Sequence, residues 1–148
     1  MLFNVFRARD SKSFASCGGD RQVYLWDTVT GRILRQFQGH HLKINTLSFN
    51  EDSSVLVSGS DDKTVRLWDM RARESRYPIQ ILDDARDSIG SVCVRGAVIA
   101  VGSVDGNVRI YDIRKGAMTA DNLTGINKHA EACVNLFFRC GNVFKVGK

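Results

Sequence analysis

Three segments of this chain superimpose without a gap: Ser16-Cys-Gly-Gly-Asp-Arg-Gln-Val-Tyr-Leu-Trp-Asp27, Ser58-Gly-Ser-Asp-Asp-Lys-Thr-Val-Arg-Leu-Trp-Asp69 and Val101-Gly-Ser-Val-Asp-Gly-Asn-Val-Arg-Ile-Tyr-Asp112. Their aromatic-Asp ends fall at 26–27, 68–69 and 111–112, so the repeat has periods of 42 and 43 residues. A period near 40–45 is roughly the length of one four-stranded antiparallel unit, and units of this kind stack because none can bury its apolar faces by itself.

Each copy reads as strand, tight turn, strand. Gly-Asp-Arg, Asp-Asp-Lys and Asp-Gly-Asn are hairpin residues. Beyond the turn the pattern alternates with period 2. Val23 and Leu25, Val65 and Leu67, Val108 and Ile110 face one way, and Trp26, Trp68 and Tyr111 face the other. Apolar groups on both faces suit a sheet sandwiched between two neighbours. The spacing predicts further strands over 33–37, 44–49 and 79–82. No apolar helical stripe persists over ten residues. The expected architecture is all-β: about three four-stranded antiparallel blades of an incomplete β-propeller.

The Gly39-His40 pair, followed by Ser58-Gly-Ser-Asp-Asp-Lys-Thr64 and then Trp68-Asp69, resembles the signature of the WD-repeat family. The likeness covers residues 1–125. It divides the chain into a partial first repeat (1–38), a second (39–82), a third (83–125) and an atypical tail or remnant of a fourth blade (126–148). Within the tail, 132–138 could supply a first strand. The stretch from Ile81 through Asp83-Asp84-Ala85-Arg86 to Val92, with Arg109-Ile-Tyr-Asp-Ile-Arg-Lys-Gly116, is similar to the mitogen-activated protein kinase organizer group within that family. That likeness implies a scaffold for kinase-cascade components and an association with the spliceosome in pre-mRNA splicing, hence residence in cytoplasm and nucleus.

The second repeat contains Ser58, His40 and Asp62, the residue types of a hydrolase triad. The resemblance implies a different use, a buried chain in which Asp62 accepts from His40, His40 accepts from Ser58 and Ser58 accepts from the Trp68 indole. A nucleophile would need a cleft, an oxyanion hole and usually a strained turn, whereas Ser58 lies within a strand. The expectation is therefore a binding protein and not an enzyme. The first repeat has Ser16, Asp20 and Trp26, with the position of its His falling ahead of Met1. The third keeps Asp105 but has Val101 for Ser, Tyr111 for Trp and Asp83-Asp84-Ala85-Arg86 in place of Gly-His. These two blades are expected to rely more on apolar packing.

Fold-level analogy places partner binding on the rim formed by the loops into the innermost strands and the hairpin tips, here His41, Lys43, Asp61, Arg86 and Val104. Trp68-Asp69-Met-Arg71 and Tyr111-Asp112-Ile-Arg114 look like the WDxR feature of substrate receptors for cullin-RING ubiquitin ligases. The plainer alternative is an exposed arginine in a turn. His129, Cys133 and Cys140 lack a fourth ligand at zinc-finger spacing, so no metal and no cofactor is expected.

The net charge of +5 is spread through the 148 residues without a basic run, which leaves nucleic-acid contact at most indirect. An apolar fraction of 43% excludes a disordered chain. No stretch approaches the roughly 20 apolar residues of a membrane-spanning helix. Four cysteines without a framework suggest reduced thiols in an intracellular protein. Apolar faces left at the ends of an incomplete ring predict self-association.

Overall fold

The computed structural model describes residues 4–8, 12–115 and 117–123. Among these residues, twelve strands form three antiparallel sheets, each ordered as in the chain. The first holds β1 (Asn4–Arg7), β2 (Ser13–Cys17), β3 (Gln22–Asp27) and β4 (Ile33–Gln38). The second holds β5 (Ile44–Phe49), β6 (Val55–Ser60), β7 (Val65–Asp69) and β8 (Gln80–Leu82). The third holds β9 (Ile89–Arg95), β10 (Val98–Ser103), β11 (Val108–Asp112) and β12 (Ala117–Leu123). The first sheet has all four strands, so the first repeat departs from the others in its loop chemistry and not in its strand number. The predicted outer strand at 79–82 starts one residue later, at Gln80. Ile79 still donates its N–H to the Leu67 carbonyl, but it is more than half exposed. The 126–148 tail, with its predicted strand, lies outside the described residues.

Each repeat turns at the same offset. The carbonyls of Gly18, Ser60 and Ser103 accept the N–H of Arg21, Lys63 and Gly106, and those three residues are left-handed, with φ of 65°, 68° and 83°. A side chain at such a φ is strained, because Cβ crowds the following carbonyl. Lys63→Gly is therefore expected to stabilise the chain by about 0.5–1 kcal/mol, the relief outweighing the added freedom of the unfolded chain. A higher urea midpoint with an unchanged slope would be the signature.

Two apolar clusters join the sheets. Val23, Leu25 and Phe37 of the first pack with Ile44, Leu47, Leu56 and Trp68 of the second. Val57, Val65 and Leu67 of the second pack with Ile89, Val92, Ile99 and Tyr111 of the third. The period-2 pattern thus sorts itself as the alternation requires. Trp68 and Tyr111 point to the preceding sheet, while Val65 and Leu67 point to the following one. Trp26 remains half-buried, stacked on Phe14 at 5.9 Å. Polar ties reinforce the second joint, where Thr46 Oγ1 and Ser48 Oγ accept the Val92 and Val94 N–H groups at 3.4 and 3.2 Å.

Candidate functional site

The loop ahead of β5 carries His40 onto the end of the second sheet, between β6 and β7. Gly39 makes this approach feasible: a Cβ there would lie 2.5 Å from Arg66 Nη1 and 3.3 Å from the Trp68 ring. Trp68 Nε1 donates to Ser58 Oγ at 2.8 Å, and Ser58 Oγ lies 2.7 Å from His40 Nε2. His40 Nδ1 lies 2.8 Å from Asp62 Oδ2. The protons have one consistent placement. Ionised Asp62 only accepts, so Nδ1 carries the imidazole proton and Nε2 accepts from the Ser58 hydroxyl.

Asp62 is held from both sides. Its Oδ2 also accepts the His41 N–H at 2.9 Å, and its Oδ1 accepts the Thr64 N–H at 3.0 Å and the Thr64 hydroxyl at 2.6 Å. Burial by itself would raise this carboxyl, but the hydrogen bonds from His40, Thr64 and the His41 N–H outweigh it and hold it well below the usual carboxylate range. Burial lowers His40, and the Asp62 hydrogen bond only partly offsets that. Ser58 and the His40 side chain have no exposure to solvent.

A pH dependence follows. Native His40 stays neutral below the ordinary histidine value of about 6.5, while the unfolded chain takes up a proton there. Its contribution is full above that pH and is lost as pH falls toward the depressed native value. Asp62 shifts in the same sense, but its contribution is lost only below about 3.8. Urea melts between pH 7 and 5 should show stability falling with pH, and His40→Asn should flatten that slope. Parallel slopes would exclude His40 as its source.

The other two repeats depart from this arrangement in different ways. In the first, Trp26 Nε1 donates to Ser16 Oγ at 2.8 Å, and Asp20 accepts the Gln22 N–H. In the third, Val101 and Tyr111 do lie in the apolar joint with the second sheet, and a largely buried ion pair is added to that packing. Arg109 forks onto Asp105 at 3.3 and 2.7 Å, and the Arg86 N–H donates to the same carboxylate at 3.1 Å. Burial would raise Asp105, but Arg109 and the N–H groups of Arg86 and Asn107 bring it down to about 2. Burial, followed by the charge of Asp84, raises the Tyr111 phenol. The Arg109–Asp105 pair thus takes the place of the His-Asp contact, and Tyr111 fills the apolar place that Trp68 has in the second repeat.

Sequence reasoning missed this arginine. Arg66 occupies the same offset, is buried, and places Nη2 3.7 Å from Asp62 Oδ2. The signal was present in the repeated Val-Arg-Leu and Val-Arg-Ile of β7 and β11. It also missed Ser60 and Ser103, whose buried hydroxyls donate to the carbonyls of Lys43 (2.8 Å) and Asp87 (3.1 Å), tying each hairpin to the loop before its inner strand.

At the rim, His41, Lys43, Arg86 and Val104 are exposed. Asp61 is not a free rim anion. Its Oδ1 accepts from Asn45 Nδ2 at 2.6 Å and from the Ser88 hydroxyl, and Asn45 also donates to the Ile89 carbonyl at 3.0 Å. This places Asp61 in the joint between the second and third sheets. The WDxR-like arginines sit at the opposite end of the blades, where Arg71 pairs with Asp52 at 3.0 Å and Arg114 with Asp112 at 3.0 Å. His129, Cys133 and Cys140 lie outside the described residues.

Three stacked antiparallel sheets, with a Ser-His-Asp-Trp chain buried where a loop meets a hairpin, define the class as consecutive β-propeller blades. The model of the WD domain, G-beta repeat, matches residues 8–27, 31–69 and 76–112, and the chain belongs to this family. It is 35% identical over 138 residues to the WD repeat domain-containing protein 83 homolog of Dictyostelium discoideum, covering 74% of this chain and 42% of the relative. It is 32% identical over 108 residues to the Periodic tryptophan protein 2 homolog of Schizosaccharomyces pombe, covering 70% and 12%. It is 29% identical over 114 residues to Pre-mRNA-splicing factor cwf17 of the same yeast, covering 72% and 31%. The chain therefore spans less than half the length of these relatives.

Proposed function

We propose that this chain is a non-catalytic scaffold that gathers other proteins into a complex through its rim. The observation that carries this reading is the division of labour around the loop at 39–43. Its inward residue, His40, is sealed into a hydrogen-bonded chain with Ser58, so the hydroxyl is out of reach of a substrate and already engaged. Its outward residues, His41 and Lys43, stand exposed on a backbone fixed by Ser60. Arg86 and Val104 extend the same end of the molecule onto the third blade, across the Asn45–Asp61–Ser88 joint. A rigid, mildly basic surface of this kind offers recognition without reactive groups.

Splicing complexes are the setting we favour, supported by the relative named as a pre-mRNA-splicing factor. The third-repeat likeness to the kinase organizer group adds kinase-cascade components as a second set of partners, with action in both nucleus and cytoplasm. Affinity purification with mass spectrometry, using the tagged chain beside Lys43→Glu plus Arg86→Glu, tests this. Splicing or kinase-cascade proteins should be recovered and fall about tenfold in the variant, the equivalent of about 1.4 kcal/mol. Recovery of neither class, or capture that the variant does not change, would overturn the reading.

A further inference from the structure

A second surface lies on the outer perimeter, away from the rim, where the segment between β7 and β8 crosses the outer strand of the first blade. Ile33 and Leu34 of β4, with Arg35, Arg73, Glu74 and Arg76, line a groove there. Ile33 and Leu34 are about half exposed, unusual for two adjacent aliphatic residues on a strand. Leu34 is also the bulged residue of β4. Pairing passes from Leu25↔Arg35 to Trp26↔Ile33 and skips it. Bulges at sheet edges re-aim side chains and often mark sites of interaction.

The groove is held in shape from below. Arg35 donates to the carbonyls of Asp69 and Met70 at 3.1 Å each and of Ser75 at 2.6 Å, and its guanidinium lies 4.5 Å above the Phe37 ring. The crossing segment is therefore fixed in place. Strand β4 is the edge of its sheet, and among the described residues only its far end is capped, by Gln38 N–H donating to the Arg76 carbonyl at 3.0 Å. In an antiparallel ladder the alternate residue points its backbone groups the same way, so Gln36 presents its N–H and C=O outward beside that bond.

Charge selects the occupant. Arg73 and Arg76 are exposed and make no ion pair among the described residues, and Arg32 at the entry to β4 is likewise exposed and without one. Among the residues that line the groove, the one carboxylate is Glu74. We propose that this groove binds an extended acidic segment of a partner protein. The segment's backbone continues the β4 edge at Gln36, an apolar side chain rests on Ile33 and Leu34, and its carboxylates meet Arg73 and Arg76. Strand addition with side-chain pockets is a recurring mode of peptide recognition. The site adds to the scaffold reading and stands apart from the rim, so either can fail without the other.

The test is fluorescence anisotropy on the full chain with a labelled peptide of about ten alternating Glu and Val residues, a length that spans an edge strand. Saturable, salt-sensitive binding is expected. It should weaken at least about tenfold in Arg73→Glu plus Arg76→Glu and in Leu34→Asp, and stay unchanged in Lys43→Glu plus Arg86→Glu. A Lys-Val peptide should not bind. The exposed positions of the substituted residues keep the fold, and coincident thermal melts verify it. The proposal is overturned by absence of saturable binding, by binding indifferent to the arginine pair, or by loss in the rim variant instead. Displacement by a single-stranded RNA that binds more tightly, or a dimer in sedimentation that Leu34→Asp dissolves, would also overturn it.

Discussion

Gly59→Ala is expected to destabilise the chain by about 2–3 kcal/mol, at the upper end of what overpacking one methyl group costs. Gly59 lies in β6 on the face turned to the third sheet. A Cβ added there would stand 2.4 Å from Ile89 Cγ2, 2.9 Å from Thr46 Cγ2 and 3.0 Å from Val92 Cγ2. The atoms in the way belong to short β-branched side chains of the two inner strands, which have little freedom to move aside. Relief requires the second and third sheets to part, which would loosen a cluster that buries Val57, Val65, Leu67, Ile89 and Tyr111. Gly19→Ala is the control, with nothing within 4 Å of its Cβ, and should change stability by less than about 0.5 kcal/mol. Equal effects at both positions in urea melts would mean that the joint is looser than described.

Trp68→Ala should be more damaging still, at about 4 kcal/mol. Trp68 is 1% exposed and packs against Phe37 with ring centroids 5.5 Å apart, joining the first and second sheets. Trp68→Phe separates the two roles of the side chain. It keeps most of the apolar contact but removes the N–H, leaving Ser58 without its donor in a site closed to water, for a loss of about 1–2 kcal/mol. Trp26→Ala should cost less than Trp68→Ala. Trp26 makes the same bond to its serine, but it is half-buried and gains less from packing. If the tryptophans proved equivalent, burial between sheets would not be what distinguishes them.

The repeat made the fold legible because three copies cancel local noise. A turn residue in one copy is ambiguous, but Arg21, Lys63 and Gly106 at one offset are not. Strand β5 was readable to the residue from its spacing ahead of the hairpin, whereas β8 was not. Ile79 looks like strand in sequence, yet it donates to the Leu67 carbonyl from outside the ladder and stays more than half exposed. The Ser58–His40–Asp62–Trp68 arrangement came from the family likeness, since residues up to 28 positions apart in the chain carry no local signal of contact.

What escaped the sequence was mostly charge placement. An arginine flanked by strand aliphatics, as in Val65-Arg66-Leu67 and Val108-Arg109-Ile110, reads as a solvated face. Burial of Arg66 and Arg109 depends on an aspartate brought back by the hairpin, which is a consequence of register. Asp61 carries a second role, in the joint between sheets, that was illegible for the converse reason. A hairpin tip is normally exposed, but Asn45 and Ser88 arrive from two other segments to occupy its carboxylate.

Ser58 is a sealed link in a structural chain, and the Trp68 indole N–H reports on that link directly. With two tryptophans in the sequence, the indole region of a proton NMR spectrum has two signals to follow. The Trp68 signal should exchange with deuterium only through global opening, far more slowly than that of Trp26, and Ser58→Ala should bring the two rates together. Rapid exchange of the Trp68 indole in the native chain, unchanged by Ser58→Ala, would mean that the serine is free and accessible and would contradict the account.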